Sequence, residues 1–447
     1  MPYILNTPSQ IKEMLEVVGL HSLEELFSHL PPSVRIKGHL SLPSGLSEEE
    51  LIRVVKRLAK KNKSLSNFNS FLGGGIYPHY IPSPLNHLIG RAEFYTAYTP
   101  YQAEASQGIL QAIFEYQTYI CLLTGMEVSN ASLYDGATSL AEAVLMSLRI
   151  KKRSKVLVCE SIHPEYRATL RTYLKGFDFL VEEIKFNRYG FLDLDILKEK
   201  IDDEVACLCI QSPNFFGLIE DLESISEVVK GKEILVILVT NPVSLAILKE
   251  PAKLGVDIVC GEGQILGRAC AWGGETFGWL ATKRDYLRQL PGRIVGKTID
   301  REGKESFCLT LQTREQHIRR EKATSNICSN HSLNAIAGAI YLSLLGKEGL
   351  KKVALYSLNL AHYFYQCLQD IKEIKLVFPS SFFNEFVWQV NDSYQVWEAL
   401  YRKNIIPGLI LEKFYPQLKD CILSSCTEIK TKEEIDDFVR CLKEVIR

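Results

Sequence analysis

A chain of 447 residues with 46% hydrophobic and 23% charged side chains has room for one large globular domain and a smaller one. Its net charge of −1 leaves no electrostatic footprint for nucleic acid. No stretch holds about 18 uninterrupted apolar residues, so a membrane span is not expected.

The opening Met1-Pro-Tyr-Ile-Leu-Asn-Thr-Pro8 lacks a basic segment followed by an apolar one, so a cytoplasmic rather than a secreted chain is expected. Thr7, Pro8 and Gln10 place an N-cap, a first-turn proline and an N3 glutamine, predicting a helix that carries Ile11, Met14, Leu15 and Val18 and stops at Gly19. Ser47 and Glu50 repeat the start signal, and the polar run Lys60 to Asn67 follows that second helix. The pattern predicts a helical arm over residues 1–67.

Strands are predicted at Lys155–Cys159, Val205–Ile210, Ile234–Val239, Asp257–Cys260 and Phe277–Ala281. Helical patterns fill the intervals, from Ala103 to Leu123, Thr138 to Leu148 and Pro164 to Leu174. Unbroken Val, Ile and Leu runs imply strands covered on both faces. The prediction is therefore an α/β domain over residues 68–325 with a mainly parallel sheet, its site at the carboxyl ends of the strands. Cys207, Cys209 and Cys260, among twelve cysteines, lie in these apolar runs and read as small core residues. No C-x-x-C pair frames a metal site, and none is expected.

After about Ser325 the rhythm changes. Segments at Phe383–Val390, Ile405–Leu411 and Cys421–Cys426 precede a helix opened by Thr431 and Glu434, giving a small C-terminal α+β domain over residues 326–447. The block Arg314–Lys322 reads as a surface helix with Glu315 facing Arg319, or as a basic surface for an acidic partner. Gly73-Gly-Gly75 reads only as a turn-rich loop.

Several blocks carry more than periodicity. They are Phe94-Tyr-Thr-Ala-Tyr-Thr-Pro-Tyr-Gln102, Ser106 to Glu115, Ser132-Leu-Tyr-Asp-Gly-Ala-Thr138, His163-Pro-Glu-Tyr-Arg167, Pro213-Asn-Phe-Phe-Gly217 and Thr310 to Cys328. Together they resemble, nearly end to end, the α subunit of the glycine cleavage system P-protein family. The resemblance implies a fold-type I, aspartate-aminotransferase-like architecture. It also implies glycine decarboxylation shared with a lysine-bearing β subunit in a tetramer of two α and two β chains, with the aminomethyl group passing to the lipoyl arm of the H-protein.

Against that family, Asp257-Ile-Val-Cys-Gly-Glu-Gly-Gln-Ile-Leu-Gly267 runs from a strand into a glycine-rich loop without a lysine. Gln264 takes the place of the lysine that would hold pyridoxal phosphate, so the cofactor is expected on the β subunit. An amide cannot form an imine. Asn241 in Val239-Thr-Asn-Pro-Val243 stands where an aspartate would keep the ring nitrogen protonated, and it is neutral. Ile265 and Glu275 depart from the family's prolines. By resemblance, His163 takes the place of the ring-stacking residue and Thr138 lies in the phosphate loop, both as vestiges with structural uses.

Tyr95, Thr96, Tyr98, Tyr101 and Gln102 are too dense and too polar for one face of a regular element, and suit a wet interface. With Glu104 they are the candidates for an αβ channel; a helix-dipole role for Glu104 is the simpler reading. Other readings are an architectural paralogue, a cofactor enzyme whose lysine is Lys283 or Lys297, or a dinucleotide site at Gly261-x-Gly263, whose spacing is wrong.

Overall fold

The computed structural model describes residues 5–36, 38, 40–95, 98–271, 274 and 276–446. The chain divides into two compact units, Met1–Ser64 and Leu65–Arg447. The first holds helices Pro8–Val17 and Glu48–Ala59, separated by short 3-10 turns at Leu23–Phe27 and Pro32–Val34. Both helices start in reciprocal capping boxes, Thr7 with Gln10 and Ser47 with Glu50, which satisfy otherwise orphaned backbone donors.

The second unit is built on a seven-stranded sheet. Its order is Val128–Ser129, Gly278–Thr282, Ile258–Glu262, Leu235–Val239, Val205–Gln211, Lys155–Cys159 and Leu180–Ile184. Gly278–Thr282 runs antiparallel to both neighbours, and the other adjacent pairs are parallel. Lys155–Cys159 and Leu235–Val239 are buried along their whole length, which their continuous apolar runs require.

Leu180–Ile184 is an edge strand that the sequence pattern did not predict. Its Glu182 and Glu183 are neutralised by Lys155, Lys200, Arg167 and Arg171. The antiparallel hairpin Ile294–Ile299 with Glu305–Thr310 was likewise not predicted.

A four-stranded antiparallel sheet lies nearer the C-terminus, in the order Lys375–Leu376, Glu385–Gln389, Cys421–Ser425 and Leu409–Ile410. Asn69–Ser70 pairs in parallel with Ile405–Ile406. Two apolar cores result. One surrounds the larger sheet; the other is aromatic, with Phe71, Phe364 and Phe438 in mutual contact at 4.8–4.9 Å between ring centroids. The long helical stretch Ser332–Gln369 serves both, changing course at Gly346. The last helix, Lys432–Val445, begins in the Thr431–Glu434 capping box and buries Ile435, Phe438, Val439 and Leu442.

The predicted helix at Arg314–Lys322 does not form as one element. It breaks into Gln312–Arg314, Gln316–Arg319 and Arg320–Lys322, with Arg320 at φ +52°. Tertiary bonding overrides the local pairing: Arg314 donates to the carbonyls of Leu290, Gly292 and Leu311, and Glu315 faces Arg293 instead of Arg319.

Candidate active site

The carboxyl ends of Val205–Gln211, Leu235–Val239 and Ile258–Glu262 converge on one small cavity, lined among others by Tyr77, His163, Asn241, Glu262, Ile265 and Glu385. Gln264 follows the last of these strands, 2% exposed. Its carboxamide is fully used. Oε1 accepts the N–H of Tyr77 (3.1 Å), and Nε2 donates to the carbonyls of Tyr77 (3.1 Å) and Arg268 (2.7 Å). The glutamine thus pairs with the Tyr77 peptide much as a neighbouring strand would, and ties down the 73–79 segment, whose Gly75 and Tyr77 line the cavity.

The triple glycine belongs to that segment. The Gly74 N–H donates to Glu385 Oε1 (2.6 Å) and the Tyr77 hydroxyl to Glu385 Oε2 (2.6 Å). A Cβ on Gly73 would stand 2.2 Å from Glu385 Oε1, so a side chain there would displace the carboxylate. His163 is the N-cap of the Pro164–Leu174 helix. Its Nδ1 accepts from the Glu165 N–H (3.2 Å), so Nε2 carries the proton donated to the Gly74 carbonyl (2.7 Å). Burial lowers its pKa, which keeps the ring neutral. Asn241 caps its own turn through Oδ1 to the Val243 N–H (2.9 Å), while its buried Nδ2 has no acceptor among the described residues.

On the phosphate side, the Gly136–Lys151 helix is capped by Asp135, whose carboxylate accepts the Thr138 N–H (2.8 Å) while Thr138 Oγ1 accepts the Asp135 N–H (3.2 Å). Asp135 is the N-cap and Thr138 completes the capping box, and the helix begins two residues before the predicted Thr138. Glu262 Oε2 accepts the Gly136 N–H (3.1 Å), and its Oε1 accepts the Gln264 N–H (3.0 Å) and the Thr276 hydroxyl.

These residues do not fit pyridoxal phosphate. The imine-forming amine is absent, a carboxylate already lies at the helix N-terminus where a phosphate would go, and the space left is about 40 Å³. Small-ligand pockets run from about 300 to 1,000 Å³.

Glu220, another buried carboxylate, accepts from Asn214 Nδ2 (2.8 Å) and the Leu192 N–H. Desolvation pushes Glu220, Glu262 and Glu385 up to about 7. A carboxyl raised in the folded state is stabilising below the ordinary carboxylate range, and that stability is lost as pH climbs to about 7. Glu385→Gln, which cannot ionise, is expected to gain on the wild type by about 2–3 kcal/mol between pH 5 and pH 8. Urea midpoints measured at both pH values test this; parallel profiles would contradict it.

The other predicted site residues lie apart from this cavity. Tyr95 ends the short helix Ala92–Tyr95, and Tyr95, Tyr98 and Tyr101 are 70%, 82% and 52% exposed. Thr96 lies outside the described residues, as does Glu275. Tyr101 accepts from Arg293 Nη2 (2.8 Å) and lies under its guanidinium, with His317 edge-on. Gln102 and Glu104 are exposed, and Glu104 sits in a 3-10 turn, Ala103–Ala105, before the helix Gln107–Thr124. The helix therefore starts later than the predicted Ala103.

Lys283 pairs with Asp257 and Lys297 with Glu305; neither lines the cavity. Gly263 packs against Phe277, where a Cβ would approach to 2.3 Å, so the glycine serves close packing. Glu262, Glu385, Tyr77 and Tyr166 went unnoticed in the sequence. One signal was available: Glu385 is the lone carboxylate in Phe382-Phe-Asn-Glu-Phe-Val-Trp388, where a charge inside an apolar run needs a buried partner.

A family profile described as glycine cleavage system P-protein matches residues 1–442. The chain is 48% identical over 442 residues to a Carboxydothermus hydrogenoformans protein, covering 99% of each. It is 49% identical over 446 residues to one from Desulfitobacterium hafniense, covering 100% of each. Both are named "probable glycine dehydrogenase (decarboxylating) subunit 1". A solved structure of glycine decarboxylase (P-protein) of the glycine cleavage system, in inhibitor-bound form, superposes with a TM-score of 0.90 at 42% identity, covering 100% of each chain. A glutamate decarboxylase of Lactobacillus brevis shares the fold at 13% identity, with a TM-score of 0.69 over 95% of this chain and 96% of that one. The large sheet with its smaller antiparallel companion is thus the fold-type I, aminotransferase-like architecture, and the chain belongs to the glycine cleavage system P-protein family.

Proposed function

We propose that the chain is the α subunit of a cytoplasmic glycine decarboxylase, inert alone and working with a lysine-bearing β subunit in a tetramer of two α and two β chains. In that assembly pyridoxal phosphate resides on β, glycine loses carbon dioxide, and the aminomethyl group passes to the lipoyl arm of the H-protein. When bound, the cofactor's protonated ring supplies the electron sink for decarboxylation. The working division is an arm over 1–67, a large domain over 68–325 and a small one over 326–447. The observation that carries the reading is the end-to-end likeness to proteins named subunit 1. It is joined by Gln264, an amide, in the place of the imine-forming lysine.

What this chain contributes is surface. Tyr95, Tyr98, Tyr101, Gln102 and Glu104 present ring faces and polar tips outward, suited to lining a channel shared with the partner. In the structure Tyr101 is held by Arg293, so Tyr95 and Tyr98 are the freer of the tyrosine hydroxyls to meet a polar intermediate.

Co-expression with the β subunit is expected to yield a stable heteromer with glycine–bicarbonate exchange activity, burying about 2,000 Å² or more. Tyr98→Phe should leave assembly intact and slow exchange about five- to a hundred-fold, the kinetic equivalent of one lost hydrogen bond. Light scattering that finds the subunits apart at micromolar concentration would remove the reading. Unchanged exchange in Tyr95→Phe, Tyr98→Phe and Tyr101→Phe would confine the chain to an architectural role.

A further inference from the structure

Three donors converge on the Glu262 carboxylate: the first N–H of the Gly136–Lys151 helix, the Gln264 N–H and the Thr276 hydroxyl. A helix N-terminus, a loop amide and a threonine hydroxyl are the equipment with which proteins bind a phosphate. Here a side chain of the same polypeptide occupies those donors. The wall behind it is closed as well, because a Cβ on Gly136 would stand 2.1 Å from the Tyr166 hydroxyl.

We propose that the chain retains a complete phosphate seat and fills it with the Glu262 side chain, so that a phosphate monoester is excluded by that side chain and enters once it is removed. The inference rests on the reading that the cofactor belongs to the partner subunit, and adds the device that keeps it off this one. The missing lysine alone would not do so, since a phosphate can bind non-covalently at such a seat. With Glu262 in place its three donors are taken and only about 40 Å³ is left in the cavity. Asp135 adds repulsion: its carboxylate stands close enough to disfavour the charge on Glu262, and it would disfavour a second anion in the same way. A variant seat is therefore expected to be weak but real.

The test uses the full-length chain with inorganic phosphate as probe, followed by calorimetry and by thermal midpoint. The wild type is expected to take up no phosphate saturably. Glu262→Ser vacates the seat and should bind phosphate at least about tenfold more tightly than the wild type, with a midpoint lowered in plain buffer and recovered in phosphate. Glu262→Gln refills the space with a neutral group and should behave like the wild type toward phosphate. Saturable binding by the wild type overturns the proposal whatever the variants do. So does a folded Glu262→Ser, or Glu262→Gly if the serine variant does not fold, that binds no better than Glu262→Gln. Because the readout needs only this chain and phosphate, an αβ complex without exchange activity would refute the subunit reading and leave this result standing.

Discussion

Replacing Gly217 by alanine is expected to cost at least about 4 kcal/mol, enough to remove most soluble folded protein. A Cβ at this position would lie 1.9 Å from the Glu385 carbonyl oxygen and 2.5 Å from its carbon, on backbone at φ +85°. Both obstacles are main chain, so no rotamer change relieves them. The Gly217 carbonyl also accepts the Phe383 N–H (3.0 Å), and Leu218 bridges Phe382. Pushing the strands apart would break this junction and unseat Phe215 and Phe216 from the aromatic core. Gly108 is the control, since nothing lies within 4 Å of a Cβ there. Alanine at that helical position should be neutral or stabilising by up to about 1 kcal/mol. Expression yield and urea midpoints decide; a Gly217→Ala protein as stable as the Gly108→Ala one would show that the two backbones are not in the contact described.

Gln264→Lys is expected to destabilise the chain by about 2–4 kcal/mol without creating a cofactor site. The ammonium can donate to the carbonyls of Tyr77 and Arg268 but offers no acceptor for the Tyr77 N–H that Oε1 now receives. It would also bury a charge at a position 2% exposed. In a complex whose β lysine has been removed, exchange should stay absent, and borohydride should fix no pyridoxyl group on this chain. Glu262 still holds the phosphate seat, and Asn241 offers no carboxylate to the ring nitrogen. Rescue of exchange together with a fixed adduct at residue 264 would mean that the cavity is open after all.

Where local chemistry decides the structure, it could be read from the chain. The caps at Thr7, Ser47 and Thr431 and the fully buried strands depend on residues within a few positions of one another. The landing of Gln264 at a strand's carboxyl end was legible for the same reason. Long-range partners hid the rest. Leu180–Ile184 reads as polar until Lys155 and Arg167 arrive from elsewhere to pair its glutamates. The Arg314–Lys322 block reads as a helix until Arg314 finds the Leu290 and Gly292 carbonyls. At the site, Glu262 looks like ordinary surface charge in sequence, and Glu385 shows only as a lone charge in an apolar run. They become decisive only because residues 126 and 311 positions away, Gly136 and Gly74, deliver backbone donors to them.

The 73–80 segment is fastened from both sides of the seam between the two sheets. Gln264 and His163 hold it from the larger sheet, through Tyr77 and Gly74. Glu385, Thr427 and Glu428 hold it from the smaller, through Gly74, Tyr77, Pro78, His79 and Tyr80. The segment acts as a rivet. A hinge between the sheets would have to shear several buried hydrogen bonds at once, each costly to leave unmade, so the two sheets move as one body. The cavity lined from both sheets therefore keeps one width, and nothing can widen it without breaking the rivet.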